Sequence, residues 1–125
     1  MRVKRSIAVL VRSGDLILSL RRPDDDDELP GVWGLPAGSF RENETHEQLI
    51  DRIGRDKLGV RLRPGRMLAE GAQDRPAYRL EMELWEVSIE GVPTRGEWRW
   101  APKRVLQPGR DSGSLCCALA LDVAM

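Results

Sequence analysis

The sequence predicts one mixed α+β domain, and three observations lead there. The chain has 125 residues, enough for one sizeable core and too few for two. Several short runs alternate apolar with polar residues, the period of half-buried strands. A helical pattern interrupts those runs midway, and an apolar one closes the chain.

Ser6 to Val11 is mostly apolar, with Ile7, Val9 and Val11 alternating. Ser13-Gly14-Asp15 is turn chemistry, and Leu16 to Leu20 is a second apolar run, so the pair reads as a hairpin. Arg21 to Gly31 is a polar loop with an acidic run from Asp24 to Glu28. Thr45 to Leu58 reads as a helix. Thr45 and Gln48 have capping-box spacing, Leu49, Ile50 and Ile53 supply the apolar stripe, and Gly59 is the stop. Gly54 inside that helix is either a weak point or a place where another backbone comes close. Arg66 to Glu70 and Ala77 to Ile89 read as strands. In the second, the apolar phase moves from Tyr78, Leu80, Met82 and Leu84 to Trp85, Val87 and Ile89, which suggests a bulge. Gly91 and Pro93 mark a turn, Trp98 to Trp100 a short strand, and Ser114 to Val123 a final helix.

Composition limits the partners. Hydrophobic residues make up 41% and charged residues 32%, a folded composition rather than a disordered one. Formal net charge is zero, which argues against extended nucleic acid, because binding of that kind needs a strong basic excess. A small phosphorylated ligand needs only a local cluster of cations. No apolar run reaches the roughly 20 residues of a membrane span, and the start lacks a signal-peptide pattern. Cys116 and Cys117, the only cysteines, are neighbours and read as small buried side chains, which makes a reducing cytoplasm the default.

The stretch Trp33-Gly34-Leu35-Pro36-Ala37-Gly38, continuing to Glu44, Arg52, Gly59 and Val60, carries the chemistry. It resembles the Nudix box, G-x5-E-x7-R-E-U-x-E-E-x-G-U with U a bulky aliphatic residue. Gly38 takes the first glycine, Glu44 the first glutamate, Arg52 the arginine, Gly59 the last glycine and Val60 the final aliphatic. Arg99-Trp100-Ala101-Pro102 resembles the late strand and turn of the same family. The resemblance implies the Nudix fold, a mixed sheet sandwiched between helices, spanning 1–125 as a single domain. It also implies hydrolysis of a diphosphate bond in a nucleoside diphosphate linked to another group, assisted by Mg²⁺ or Mn²⁺, and admits a homodimer.

The chain departs from that pattern. Ile53, Asp56 and Lys57 stand where the box has glutamates, and Gly54 where it has an aliphatic residue. Positions i, i+3 and i+4 share one helix face, so the glutamates would form one set of hard oxygen ligands. Here that face offers Asp56 alone, and Lys57 carries a positive charge into it.

The candidate metal ligands are Asp56, Glu44 and the Ala37 carbonyl. Glu44, Arg52 and Asp56 are the candidate catalytic residues. Arg21, Arg22 and Lys57 are candidates for binding phosphate. Each has a plain alternative: Glu44 complements a helix dipole, Arg52 is a surface arginine, and the others are solvated charge. The same alternative applies to the acidic run, which otherwise lends a metal ligand, and His46 reads as an exposed, idle residue. Core packing accounts for most of the four tryptophans, one of them or Tyr78 is a candidate to stack on a base, and Glu70, Glu90 and Glu97 are candidates for a catalytic base. Three accounts fit these residues: a hydrolase with a reduced metal site, a nucleotide-binding or regulatory module, and a scaffold with a vestigial site.

Overall fold

The computed structural model describes residues 2–124. The chain runs β1 (Val3–Leu10), β2 (Arg12–Ser13), β3 (Leu16–Arg21), β4 (Trp33–Gly34), β5 (Ala37–Ser39), α1 (His46–Ile53), β6 (Arg61–Asp74), β7 (Arg79–Glu90), β8 (Trp98–Pro102), α2 (Gln107–Asp111) and α3 (Leu115–Asp122). Two sheets form. The larger has the order β5-β1-β7-β6, with β1 and β7 parallel and its other pairs antiparallel. In the smaller, β3 pairs with β2, β4 and β8.

Strand β1 shows how the layers form. Ile7, Val9 and Val11 point to one face and pack with Leu49, Ile50, Ile53 and Leu58 of the central helical segment. Ala8 and Leu10 point to the other face and pack with Cys116, Cys117 and Ala120 of α3. Ile7 to Leu10 are fully buried, so the sheet is sandwiched between helices as expected. Both cysteines are free and buried.

Strand β7 corrects one reading. Its pairing with β1 runs without interruption from Arg79 to Glu86. Leu80, Met82 and Leu84 belong to the α3 core, Val87 to the α1 core, with Trp85 and Ile89 packed beside it. The apolar side changes because the covering layer changes, and the alternation itself never slips. The irregularities lie in β6, between Pro64 and Arg66 and between Met67 and Ala69. That strand is also longer than Arg66 to Glu70, because β7 supplies its partners from Arg61 to Asp74.

The Thr45–Gln48 capping box forms in full. Gly59, at φ 68°, ends the segment in the left-handed region. From Gly54 to Leu58, however, the coil widens to a π-helical turn. A Cβ on Gly54 would lie 2.7 Å from Leu62 Cγ and 2.7 Å from the Val60 carbonyl oxygen, so Gly54 marks a close approach. The short helix α2 has no counterpart in the sequence reading; Pro108 near its start and Gly109 within it break the usual pattern.

Candidate functional site

A cleft of about 620 Å³ opens between β5 and the end of the box helix. Ala37, Gly38 and Ser39 line it together with Arg52, Asp56 and Lys57. Arg21 and Arg22, at the end of β3, line it as well. Of the candidates in the box and at the end of β3 (Ala37, Glu44, Arg52, Asp56, Lys57, Arg21 and Arg22), all except Glu44 line this one cavity.

Glu44 lies just behind it and is fully committed. Its Oε2 accepts from Arg52 Nε at 2.8 Å, and its Oε1 from Arg52 Nη2 at 2.9 Å and the Arg41 backbone N–H at 3.0 Å. The hydrogen-bonding guanidinium holds the carboxyl down at about 2. Arg52 also donates to the Ser39 carbonyl at 2.6 Å and is only 14% exposed. It is a strut between helix and β5 rather than a surface charge.

Ile53 is not on the cleft face with Asp56 and Lys57. It is 1% exposed, and a Cβ on Gly38 would lie 3.0 Å from its Cγ1. Ile53 thus fills the space beneath the glycine that opens the box. The widened turn from Gly54 departs from the 3.6-residue spacing that would align the three positions. Asp56 and Lys57 are exposed and reach the cleft, while Ile53 joins the core.

The acidic run serves the arginines around it. Asp24 pairs with Arg21 at 2.5 Å. Asp26 pairs with Arg22 at 3.1 Å and accepts from the backbone N–H groups of Glu28 and Leu29, bonds that help keep its carboxyl low. Glu28 pairs with Arg75 and accepts from the Tyr78 hydroxyl at 2.7 Å. His46 is not idle: Nε2 lies 3.0 Å from Glu83 Oε1, and Phe40 and Trp85 flank the ring.

The glutamates outside the box also separate. Glu70 lines another hollow with Arg5 and Phe40, and Glu90 pairs with Arg63 at 2.6 Å. Glu97, 3.6 Å from Arg21, is the one tied to a cleft residue. Sequence reasoning missed Arg95, Lys4 and Arg75, all of which line the cleft. They arrive from distant segments, and nothing local in their surroundings signals a site.

The donor set does not fit a cluster of divalent cations. Of the box positions, only Asp56 brings a carboxylate to the cleft. Both oxygens of Glu44 are engaged by Arg52, and Asp26 and Glu28 are held by Arg22, Arg75 and Tyr78. Among the described residues, no three Asp, Glu, His or Cys side chains converge as a ligand set. No helix in that span is long and apolar enough to cross a membrane.

The fold is that of the Nudix hydrolases. A NUDIX hydrolase from Nitrosomonas europaea superposes with a TM-score of 0.79 at 9% identity, over 97% of this chain and 87% of that one. The E. coli ORF135 protein gives 0.74 at 21% identity, over 86% and 79%. A MutT NUDIX hydrolase from Burkholderia pseudomallei gives 0.72 at 20% identity, over 82% and 85%. No protein-family model matches the chain, and no curated protein sequence matches it.

Proposed function

We propose that Gly38 to Val60 is a Nudix box reworked for binding, and that the cleft holds a small nucleotide-like ligand by its diphosphate without a metal cluster. Local charge carries this reading. Seven basic residues line the cleft; Arg21, Arg22, Arg52 and Arg75 are paired with carboxylates, and Lys4, Lys57 and Arg95 have no ion pair among the described residues. Such a concavity concentrates positive potential and attracts an anion small enough to enter it.

The cleft is also long enough for more than phosphate. Ser39 of β5, Ser6 of β1 and Met82 of β7 stand level beside the box. Leu80 and Tyr78 lie two and four residues before Met82, so the lining runs on by about 13 Å at strand spacing. Leu35, Leu80 and Met82 give that end an apolar floor suited to an uncharged ring or sugar.

Titration calorimetry in EDTA with ADP, ADP-ribose, UDP-glucose and adenosine tests the proposal. The three diphosphates are expected to bind and adenosine to fail. Absence of binding by every diphosphate would overturn it.

A second reading, cleavage of the same diphosphate, is favoured by Asp56 standing in the cleft with Ala37 and by the hydrolase names of the solved structures. Turnover of any of these compounds that requires Mg²⁺ or Mn²⁺ and disappears in Asp56→Ala would replace binding with hydrolysis. Under the binding reading, Asp56→Ala leaves affinity nearly unchanged.

A further inference from the structure

The cations of the cleft are not equivalent. Arg21 is paired with Asp24 and Glu97, Arg22 with Asp26, Arg52 with Glu44, and Arg75 with Glu28. Lys4 lies over the Tyr78 ring, 5.4 Å from its centroid. Lys57 and Arg95 have no side-chain hydrogen bond or ion pair among the described residues, and both line the cleft. An anion can meet these two without displacing an internal carboxylate.

Their backbones are clasped together. The loop after β7 folds over the end of the box helix, where the Thr94 and Arg95 N–H groups both donate to the Leu58 carbonyl, at 2.8 and 3.1 Å. The Thr94 hydroxyl donates to the Gly59 carbonyl at 3.3 Å. Gly96, at φ 78°, lies so close that a Cβ would sit 2.9 Å from the Lys57 carbonyl oxygen. The clasp satisfies carbonyls at the helix end and fixes Arg95 beside Lys57. A helix C-terminus also favours positive side chains, which supports two cations there.

We infer that Lys57 and Arg95 form a two-pronged clamp for a phosphoryl anion, occupying the place that box carboxylates and their cations would take, so that divalent cations oppose binding instead of assisting it. Arg95 offers a planar fork for two phosphate oxygens, and Lys57 a compact charge. A divalent cation is repelled by both and competes for the same oxygens. This inference rests on the proposed diphosphate reading of the cleft.

Inorganic pyrophosphate is the probe, measured by calorimetry on the full chain in EDTA and in excess Mg²⁺. Wild type is expected to bind free pyrophosphate and to weaken as Mg²⁺ is added. Lys57→Ala and Arg95→Ala should each lose about tenfold or more, the scale of one charge-assisted hydrogen bond. Arg63→Ala, which removes an exposed charge outside the cleft, should change nothing. Lys57→Glu should lose binding in EDTA and regain it with Mg²⁺ or Mn²⁺. Thermal melts confirm that these surface variants remain folded. Binding of wild type that survives both alanine substitutions, or that requires Mg²⁺, overturns the clamp while leaving the cleft as the diphosphate site. Failure of wild type to bind either pyrophosphate or the nucleotide diphosphates overturns both.

Discussion

Arg52 grips Glu44 with two donors, Nε at 2.8 Å and Nη2 at 2.9 Å, and with the same Nη2 reaches the Ser39 carbonyl. Helix α1 is thereby tied to the loop before it and to β5. The carboxyl, 10% exposed, is held near 2, below its ordinary 4.5. A folded pKa below the unfolded one adds stability that is present above about 4.5 and is lost as pH falls toward 2. The whole shift would correspond to about 3 kcal/mol, and screening at the cleft edge reduces it to about 1–2 kcal/mol. Glu44→Gln should therefore be less stable than wild type at pH 7, with the gap closing between pH 4.5 and 2. Urea unfolding at a series of pH values measures it; a gap independent of pH would show that the charge contributes nothing.

Gly54→Ala should destabilise the protein, although alanine is the better helix former by about 1 kcal/mol. The added Cβ would meet Leu62 Cγ and the Val60 carbonyl oxygen, both at 2.7 Å. The carbonyl belongs to backbone just past the Gly59 turn and cannot swing aside. Overpacking of this kind costs about 1–3 kcal/mol, more than the propensity gain. A rise in melting temperature would mean that the widened turn relaxes without cost.

Ile53 carries a related expectation. Its side chain is buried against Gly38, with Leu49 also close to that glycine. Ile53→Ala should cost about 2–5 kcal/mol by leaving a cavity. Ile53→Glu restores the residue of the box pattern but places a carboxylate in an apolar setting, so it should cost at least about 3 kcal/mol and bring no gain in Mn²⁺ affinity. Chemical denaturation and a Mn²⁺ titration followed by electron paramagnetic resonance give both numbers. Tight Mn²⁺ binding by a folded Ile53→Glu variant would show that the side chain reaches the cleft.

These positions show which parts of the molecule are legible in the sequence. Thr45, Gln48 and Gly59 act through neighbours a few residues away, and the helix they bound is read correctly. Arg21, Arg22, Asp56 and Lys57 are gathered in one cleft because box register and loop position place them there. Ile53 is read two ways, in the apolar stripe with Leu49 and Ile50 and on one face with Asp56 and Lys57; the stripe is what forms, and the separation from Asp56 and Lys57 depends on a change of helical winding that spacing alone assumes away. Strand β6 is underestimated because Pro64 and Gly65 argue against a strand locally, and only pairing with β7 overrides them. Arg95 is missed for the same reason: its place depends on Leu58, far away in the chain.

Two glycines of the loop after β7 separate that long-range effect from simple backbone strain. Gly91 and Gly96 have φ of 87° and 78°, so alanine at either is strained by about 1–2 kcal/mol. At Gly91 a Cβ meets nothing within 4 Å, whereas at Gly96 it meets Leu20 Cδ1 at 2.7 Å and the Lys57 carbonyl oxygen at 2.9 Å. Gly91→Ala should lower stability and leave pyrophosphate affinity intact. Gly96→Ala should lower stability further and weaken pyrophosphate binding severalfold, although it removes no charge, because it pushes the Arg95 loop off the helix end. Melting curves and calorimetry on both variants measure the two effects. Equal affinities would mean that Arg95 reaches the anion without the clasp, and that the loop contact serves the fold alone.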